Sequence, residues 1–241
     1  MSIARPLEGR LALVTGASRG IGAAVARQLA SSGARVALLA RSAEALSALV
    51  QEIGGGAVAL VCDVRDTGAL RRALDSLPER LGGAPGIVVN NAGAFFVAPA
   101  RDTSVDAFAE TLAVNLTAPF AVVRALLPAM AASREGHVVT IGSIADRMAF
   151  PGNAAYAASK YGLRALHEVL RSELKASGVR VSLVSPGPVD TNLWNAIDVD
   201  GQPGSTPRSE MLSAESVAEA VHWVVTAPAG VNVDELRLSR S

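Results

Sequence analysis

The residues in this chain that could carry out proton transfer are a phenol and an ammonium, Tyr156 and Lys160, in the run YAASKYG. They are four positions apart in a stretch with helical character, so both side chains should project from one face. A phenol titrates near ~10, and a cation beside it favours the phenolate, which would let it exchange a proton near neutral pH. The pair predicts a proton donor, although this spacing also arises by chance on solvated helices.

A second group of residues, TGASRGIG from Thr15 to Gly22, could hold a phosphate. It follows the apolar run Leu11 to Val14 and precedes a segment with helical spacing, Ile21 to Ser32. Its glycines permit positive φ and let backbone N–H groups approach a phosphate at the partly positive N-terminus of a helix. The spacing is GxxxGxG rather than GxGxxG, and its place between strand and helix predicts a dinucleotide-binding turn.

Composition favours one soluble domain that acts on small molecules. The 241 residues suffice for a single α/β domain, and the 22 basic and 22 acidic residues give no electrostatic footprint for nucleic acid or an anionic membrane. A lone cysteine, Cys62, excludes an internal disulfide framework, and the N-terminal MSIARPLEGR has no apolar export segment. We therefore predict a cytoplasmic protein. The most apolar stretch, Leu116 to Ser133, contains Arg124 and two prolines, which favours a deeply buried helix over a membrane span.

Short apolar runs alternate with helical segments along the chain. Such continuously apolar strands indicate a parallel sheet covered on both faces, with ligands bound beyond the carboxyl ends of the strands. The seven predicted strands are Leu11 to Val14, Val36 to Ala40, Val58 to Cys62, Ile87 to Val89, Val138 to Ile141, Val179 to Val184 and Val233 to Leu238.

The residues that could do chemistry come just after these runs. Gly16, Arg41 and Asp63 follow the first three runs in turn. Asn90 to Gly93, Ser143, and Pro186 to Thr191 follow the fourth, fifth and sixth. The turn-rich DVDGQPGSTPR, from Asp198 to Arg208, predicts a mobile substrate loop over the site, at about residues 192 to 212.

Several motifs together resemble the compact type of short-chain dehydrogenase/reductase. TGASRGIG, NNAG at Asn90 to Gly93, Asn115, Ser143, YAASK and PGPVDT occur in the order and spacing of that family. The resemblance extends over nearly the whole chain. It implies an α/β fold of Rossmann type, a doubly wound seven-stranded parallel sheet with helices on both faces, as a single dinucleotide-binding and catalytic domain over residues 1 to 241.

The resemblance also assigns roles to residues of this chain. Tyr156 would be the proton donor, Lys160 would lower its pKa and hold the nicotinamide ribose, and Ser143 would hydrogen-bond the substrate carbonyl. Asn115 would keep a water in the proton relay. Asp63 would bond the adenine amino group, Asn90 would pack below the adenosine ribose, and Thr191 would hold the nicotinamide carboxamide. The residues expected at the cofactor are Gly16, Ser18, Arg19, Gly20, Ile21, Gly22, Arg41, Asp63, Val64, Asn90, Ala92, Gly93, Tyr156, Lys160, Pro186, Gly187, Val189 and Thr191.

The second predicted strand ends in ALLARS, which bears on the choice between NAD and NADP. An NAD enzyme of this architecture usually places Asp or Glu there, to bind the adenosine ribose hydroxyls. Here Arg41 stands in that place and Arg19 lies in the glycine turn, so two guanidinium groups could converge on a 2′-phosphate. The sequence predicts NADP(H), while two solvated surface arginines remain the alternative.

The residues that remain give weaker indications. His137, His167 and His222 are scattered singly, with no metal-ligand spacing, so we expect them to be structural and predict no metal site. Phe95, Phe96 and Trp194 follow strand ends and could line a substrate pocket or simply pack. Asp146 and Arg147, just beyond Ser143, could contact a polar substrate.

The leading hypothesis is an NADP(H)-dependent carbonyl reductase, or an alcohol dehydrogenase in the reverse direction, acting on a ketone, aldehyde, secondary alcohol or hydroxy acid. Alternatives are a non-catalytic NADP(H)-binding regulatory protein, a 3-oxoacyl thioester reductase, and a sugar-nucleotide epimerase or dehydratase. The ending VNVDELRLSRS lacks the glycine-rich tail common in ketoreductases of fatty-acid synthesis. The apolar helices predict a homo-oligomer, and the resemblance makes a tetramer favoured over a dimer.

Overall fold

The computed structural model of this chain describes residues 5–195, 197–201 and 205–241. Strands and helices alternate along it, as expected from the alternation of apolar runs with helical segments. The elements are β1 (Leu11–Thr15), α1 (Gly20–Ser31), β2 (Arg35–Ala40), α2 (Ala43–Ile53), β3 (Val58–Val61), α3 (Thr67–Asp75), α4 (Leu77–Leu81), β4 (Ile87–Asn90), α5 (Val105–Leu112), α6 (Ala118–Ser133), β5 (Gly136–Ile141), α7 (Ala154–Glu173), β6 (Val179–Pro186), α8 (Ala214–Val225) and β7 (Glu235–Leu238).

The strands form one parallel sheet in the order β3-β2-β1-β4-β5-β6-β7. The order reverses between β1 and β4, so the loops that follow these two strands diverge and leave a crevice at the carboxyl edge. The prediction of a Rossmann-type sheet of seven parallel strands is confirmed.

Two helical layers cover the sheet because each strand carries apolar side chains on both faces. The core on one face packs residues of α1, α2 and α8, such as Leu29, Leu46 and Val221, against the sheet. The core on the other face brings in α3, α4, α6 and α7, with Leu70 and Leu77 among its buried residues. Both faces are thus closed, and the carboxyl edge of the sheet remains for ligands.

The last strand is shorter than the apolar run suggested, beginning at Glu235 rather than Val233. Asn232 explains the difference. Its side chain accepts a hydrogen bond from Val181 N (3.0 Å) and donates to Val181 O (3.0 Å), in place of a backbone ladder. Regular pairing with β6 therefore starts beyond it, at Leu183 opposite Glu235.

A continuous helical run, Val105–Ser133, is long and apolar enough to cross a membrane by length and composition alone. It joins α5 and α6 through a π-helical turn, Ala113–Thr117. Core helices pass the same test, and Val122, Leu126 and Met130 of α6 lie in the core beneath the sheet. The expectation of deep burial is nevertheless wrong, because only 33% of its most apolar window is buried.

The segment between β6 and α8 covers the carboxyl edge of the sheet. Within it, Arg208 donates to Asp190 Oδ1 (2.7 Å), Asn195 Oδ1 (3.0 Å) and the Thr191 carbonyl (3.2 Å). These bonds join the part of the segment that precedes α8 to the part that follows β6. The substrate loop predicted at residues 192 to 212 falls here, although 196 and 202–204 lie outside the described residues, and its mobility stays a prediction.

Candidate active site

A cleft of about 1230 Å³ runs along the carboxyl ends of the strands. It is lined by residues that follow β1 to β6, together with residues of α7 and of the β6–α8 segment. Every site residue named from the sequence lines this cleft except Gly22, Asn90 and Asn115, which are buried or half-buried behind it. The sequence motifs, distant along the chain, therefore converge on one place.

The glycine turn after β1 has the geometry of a phosphate cradle. Gly16 and Gly20 adopt positive φ, 67° and 55°, which other residues rarely reach. A Cβ at Gly22 would lie 2.3 Å from the carbonyl oxygen of Gly16, so only glycine allows the turn to close on α1. The first turn of α1 contains no acidic residue, and its N-cap Arg19 makes no capping bond with its side chain. The backbone N–H groups of this first turn face the cleft and fit a cofactor phosphate.

Asn91 braces this turn, a role that the sequence reasoning missed. Its Nδ2 donates to the carbonyls of Thr15 (2.9 Å) and Gly16 (3.2 Å), and its backbone N–H donates to Thr15 Oγ1 (3.0 Å). The bonds tie the end of β4 to the end of β1, where the crevice opens. Asn90 is buried, and its Oδ1 and Nδ2 have no hydrogen-bond partner within the described part of the chain.

The end of the cleft beyond β2 and β3, here called the adenosine end, carries five charged side chains. Arg19 and Arg41 are exposed and make no hydrogen bond or ion pair within the described ranges, 5–195, 197–201 and 205–241. Arg65 instead binds both oxygens of Asp63 (2.7–3.1 Å) and contacts Glu110 (3.4 Å). Two guanidinium groups are therefore available to an anion.

Asp63 is paired with Arg65, which the sequence did not predict. Hydrogen bonds from Arg65 lower the pKa of its carboxyl, against a smaller opposing effect of burial, and the charge of Arg41 adds to the lowering. Because Arg65 already occupies both carboxylate oxygens, the expected bond from Asp63 to an adenine amino group would have to share them. Arg65 had no place in the sequence prediction.

The proposed proton donor lies at the opposite end of the cleft, here called the substrate end. Tyr156 and Lys160 project from α7, and Ser143 follows β5. Lys160 is only 6% exposed, and its Nζ donates to the Ile141 carbonyl (2.9 Å) while lying 5.7 Å from the centroid of the Tyr156 ring. Burial lowers the pKa of Lys160 from 10.5 to about 8.

The pKa of Tyr156 differs from the sequence expectation. Burial raises it above the ordinary value of 10, the neighbouring Ser143 hydroxyl opposes this, and the charge of Asp146 adds to the increase. Lys160 is not among the groups that shift it. The net shift is therefore opposite in direction to the expected one, because desolvation of the phenolate dominates.

Asp146 supplies a buried charge behind this pair. It is 0% exposed, accepts a short hydrogen bond from Ser185, and pairs with Arg147 Nε at 2.7 Å. A Cβ at Gly142 would lie 2.9 Å from Asp146 Oδ2, so glycine at that position makes room for the carboxylate. The idea that Asp146 contacts a polar substrate is therefore wrong, since it does not reach the cleft.

Asn115 lies in the π-helical turn and is 1% exposed. Its Oδ1 accepts from Ala94 N (2.8 Å), and its Nδ2 donates to Ala94 O (2.9 Å) and Ser159 Oγ (2.9 Å). Ser159 in turn donates to the Tyr156 carbonyl (2.7 Å). Both Nδ2 hydrogens and one lone pair of Oδ1 are engaged, so the amide braces the loop after β4 against α7, and its expected role in holding a water stays a prediction.

The histidines lie away from the cleft. His137 is fully buried in β5, where Nε2 lies 2.8 Å from Ser182 Oγ and burial lowers its pKa to about 3. Among the described residues, no group of three or more His, Cys, Asp or Glu could hold a metal ion.

A family model matches the stretch of sequence that contains the glycine turn, Ser143, Tyr156 and Lys160. Residues 10–201 match the model described as short chain dehydrogenase, which is more than half of the chain. The chain belongs to the short-chain dehydrogenase/reductase family. Members are oxidoreductases that use a nicotinamide cofactor.

Two curated relatives of this short-chain dehydrogenase differ in how much of their own length it spans. Glycine betaine reductase ATRR of Emericella nidulans is 36% identical over 96% of this chain, which spans only 19% of that protein. The 3-oxoacyl-[acyl-carrier-protein] reductase FabG of Escherichia coli is 33% identical, and the match covers 91% of each chain.

A solved structure shares the fold over its whole length. A metagenomic short-chain oxidoreductase in complex with NADP is 35% identical, with a TM-score of 0.84. The match covers 98% of this chain and 99% of that one.

Proposed function

We propose that this short-chain dehydrogenase interconverts a ketone or aldehyde with a secondary alcohol or hydroxy acid, using NADP(H) and Tyr156 as proton donor. The observation that carries the proposal is the position of Ser143, Tyr156 and Lys160 at one end of a cleft. Its other end has a helix N-terminus with no side-chain cap and two arginines that have no partner among the described residues. One compartment can thus hold both a nucleotide and a carbonyl group.

The chain's own residues account for the proton and the developing charge. When bound, a nicotinamide cofactor supplies the hydride to the carbonyl carbon. The Ser143 hydroxyl donates to the carbonyl oxygen, and the Tyr156 hydroxyl gives its proton to the same oxygen as the C–O double bond becomes a single bond. Lys160 balances the charge left on the phenolate, which regains a proton from solvent. Oxidation of the alcohol follows the same path in reverse.

Arg19 and Arg41 support NADP(H) over NAD(H). A 2′-phosphate would accept charge-assisted hydrogen bonds from both guanidinium groups, which are not engaged elsewhere in the described chain. The remaining proposed cofactor contacts run from the glycine turn through Ala92 and Gly93 to Thr191. Residues 1 to 241 would act as one catalytic unit, with the segment at 192 to 212 as its substrate loop.

We also propose a cytoplasmic homo-oligomer, with a tetramer favoured. The outer faces of α5, α6 and α7 carry exposed apolar side chains, with Phe120 48% exposed and Val105, Tyr161 and Val169 also open to solvent. Apolar faces of this kind are typical of subunit contacts. Light scattering on the purified chain measures the assembly directly.

The function is tested by NADPH oxidation in the presence of carbonyl compounds. The wild-type protein should turn over ketones, and Tyr156→Phe should lose about 10²- to 10⁴-fold in kcat because the general acid is removed. Its affinity for NADPH should stay within about twofold, since the ring remains. A wild-type protein that binds NADPH and reduces no carbonyl compound would instead be the non-catalytic regulatory alternative.

A second candidate, a 3-oxoacyl thioester reductase, is favoured by the similarity to the E. coli acyl-carrier-protein reductase. Acetoacetyl thioesters of pantetheine belong in the same assay. If kcat/KM for the thioester exceeds kcat/KM for every simple ketone tested, this candidate is favoured.

A further inference from the structure

We propose that the substrate end of the cleft selects an uncharged carbonyl compound carrying a bulky apolar or aromatic group, and rejects carboxylate-bearing hydroxy acids and keto acids. The inference rests on the proposed carbonyl reduction and narrows its substrate range, because it removes the hydroxy acids. Three features of the cleft carry it: an aromatic wall beside the proton donor, an apolar lining at the mouth, and the location of every charged side chain.

The aromatic wall is formed by Phe95 and Trp194 around Tyr156. The Phe95 ring meets Tyr156 edge to face at 4.7 Å between centroids and 73° between planes, and meets Trp194 in the same way at 5.1 Å and 71°. Trp194 Nε1 donates to the Val189 carbonyl (2.9 Å), which satisfies the one polar atom of the indole. The rings are thus fixed in place and present apolar surface next to the reacting hydroxyl.

The mouth of the cleft continues this apolar lining. Val97, Met148, Phe150 and Leu193 line it, and all four are exposed. Exposed apolar side chains gathered in one concave site mark a place where an apolar ligand removes surface from water. A substrate with an alkyl or aryl group would cover these side chains, whereas a small polyol or a short hydroxy acid would leave them exposed to water.

The charged residues of the cleft are segregated from this surface. Arg19, Arg41, Asp63, Arg65 and Glu110 all lie at the adenosine end, and Lys160 is the one other charged residue that lines the cleft within the described part of the chain. The loop positions outside the described residues, 196 and 202–204, are Ala, Gln, Pro and Gly in the sequence and add no charge.

Lys160, the one cation that lines the substrate end within the described part of the chain, is 6% exposed and already donates to the Ile141 carbonyl. Arg147 is turned to Asp146 and Glu235, and Arg208 is bound to Asp190, Asn195 and the Thr191 carbonyl. The polar groups left for a substrate beside Ser143 and Tyr156 are neutral, such as the amide of Asn153. A carboxylate would lose its hydration there and find no charged partner except the buried, already bonded Lys160, which disfavours its binding.

The test compares two substrates of one skeleton that differ in charge. Methyl 4-acetylbenzoate and 4-acetylbenzoate both present an aryl ketone, but only the second carries a carboxylate at neutral pH. We expect kcat/KM for the ester to exceed that for the acid by about 100-fold or more, because an unpaired buried charge is costly. An acid preferred over the ester would overturn the inference while leaving carbonyl reduction intact.

Two tryptophan variants provide a matched pair. Trp194→Ala removes part of the aromatic wall and should lower kcat/KM for the ester by about tenfold or more. Trp223→Ala removes an indole from α8 that is 58% exposed and does not line the cleft, so it should leave kcat/KM unchanged. Equal effects of the two substitutions would show that the wall does not contact substrate.

Binding separates this inference from the proposed function. In Tyr156→Phe loaded with NADP⁺, calorimetric titration reports affinity for ester and acid without turnover. Tighter binding of the ester supports the substrate class even if no variant of the protein reduces a ketone. Tighter binding of the acid contradicts it, whatever the catalytic result.

Discussion

The two ends of the cleft use charge in opposite ways. At the adenosine end, five charged side chains lie at the surface, and Arg19 and Arg41 have no partner within the described residues. At the substrate end Lys160 is buried, with Asp146 buried behind it, and the Phe95 ring packs edge to face on the proposed proton donor. The adenosine end can gain binding energy from an anion, while burial at the substrate end shifts the pKa values of Tyr156 and Lys160.

The difference follows from solvent. Charges that face water interact weakly, and an exposed ion pair contributes about 0–1 kcal/mol. The same charges removed from water interact several times more strongly and have shifted pKa values, as Lys160 does with a pKa of about 8. Changes at the adenosine end should therefore alter affinity in small steps, and changes at the substrate end should alter the pH dependence and the rate.

Replacing Lys160 should have the largest effect. Lys160→Ala removes the one ammonium at the substrate end, and we expect kcat to fall by about 10²- to 10⁴-fold because the phenolate is no longer balanced. KM for NADPH should rise as well, since Lys160 is proposed to hold the nicotinamide ribose. Steady-state kinetics measures both, with circular dichroism as the control for folding.

The pH profile shows whether the loss is electrostatic. In the wild-type enzyme, reduction should weaken as pH rises through about 8, where Lys160 loses its proton and the ammonium disappears. Lys160→Ala should lack this basic limb. If the variant keeps the basic limb of the profile at the same pH, a group other than Lys160 titrates there, and the contrast between the two ends is wrong.

Arg41→Asp should have an intermediate effect, confined to cofactor affinity. Each lost charge-assisted hydrogen bond is worth about 1.5–3 kcal/mol, so the Kd for NADPH should rise by roughly ten- to a hundredfold. The Kd for NADH should hold or improve, because a carboxylate there can accept from ribose hydroxyls. Arg19→Ala should give a smaller change of the same sign. Fluorescence titration with both cofactors would contradict the proposal if wild type and variants showed no discrimination.

The sequence predicted the elements that depend on local pattern. Continuous apolar runs located the seven strands, and the residues just after them, such as Gly16 and Ser143, proved to line one cleft. β7 began later than expected because the Asn232 side chain replaces part of the ladder with β6. That replacement depends on a contact across the sheet and leaves no local signal.

The parts of the site that the sequence did not predict depend on pairs distant along the chain. Asp146 is hydrogen-bonded to Ser185, and Asn115 is hydrogen-bonded to Ala94 and Ser159. Two residues expected to contact substrate or water are therefore engaged within the protein. Likewise, the pKa of Tyr156 depends on how much solvent the surrounding residues exclude. Two missed residues do lie in recognised motifs, namely Asn91, the second asparagine of NNAG, and Ser159 of YAASK.

Asp146→Asn should have a small effect that is confined mainly to the pH dependence of reduction. The carboxylate raises the pKa of both Lys160 and Tyr156, so its neutralisation should move the basic limb of reduction to lower pH while kcat at about pH 6 stays within roughly tenfold of wild type. Arg147 keeps Glu235 as a partner. Ser185→Ala is the control, because it removes the hydrogen bond but leaves the charge, and its limb should not move. If both variants shift the limb equally, packing around Asp146 rather than its charge sets the protonation of the buried pair.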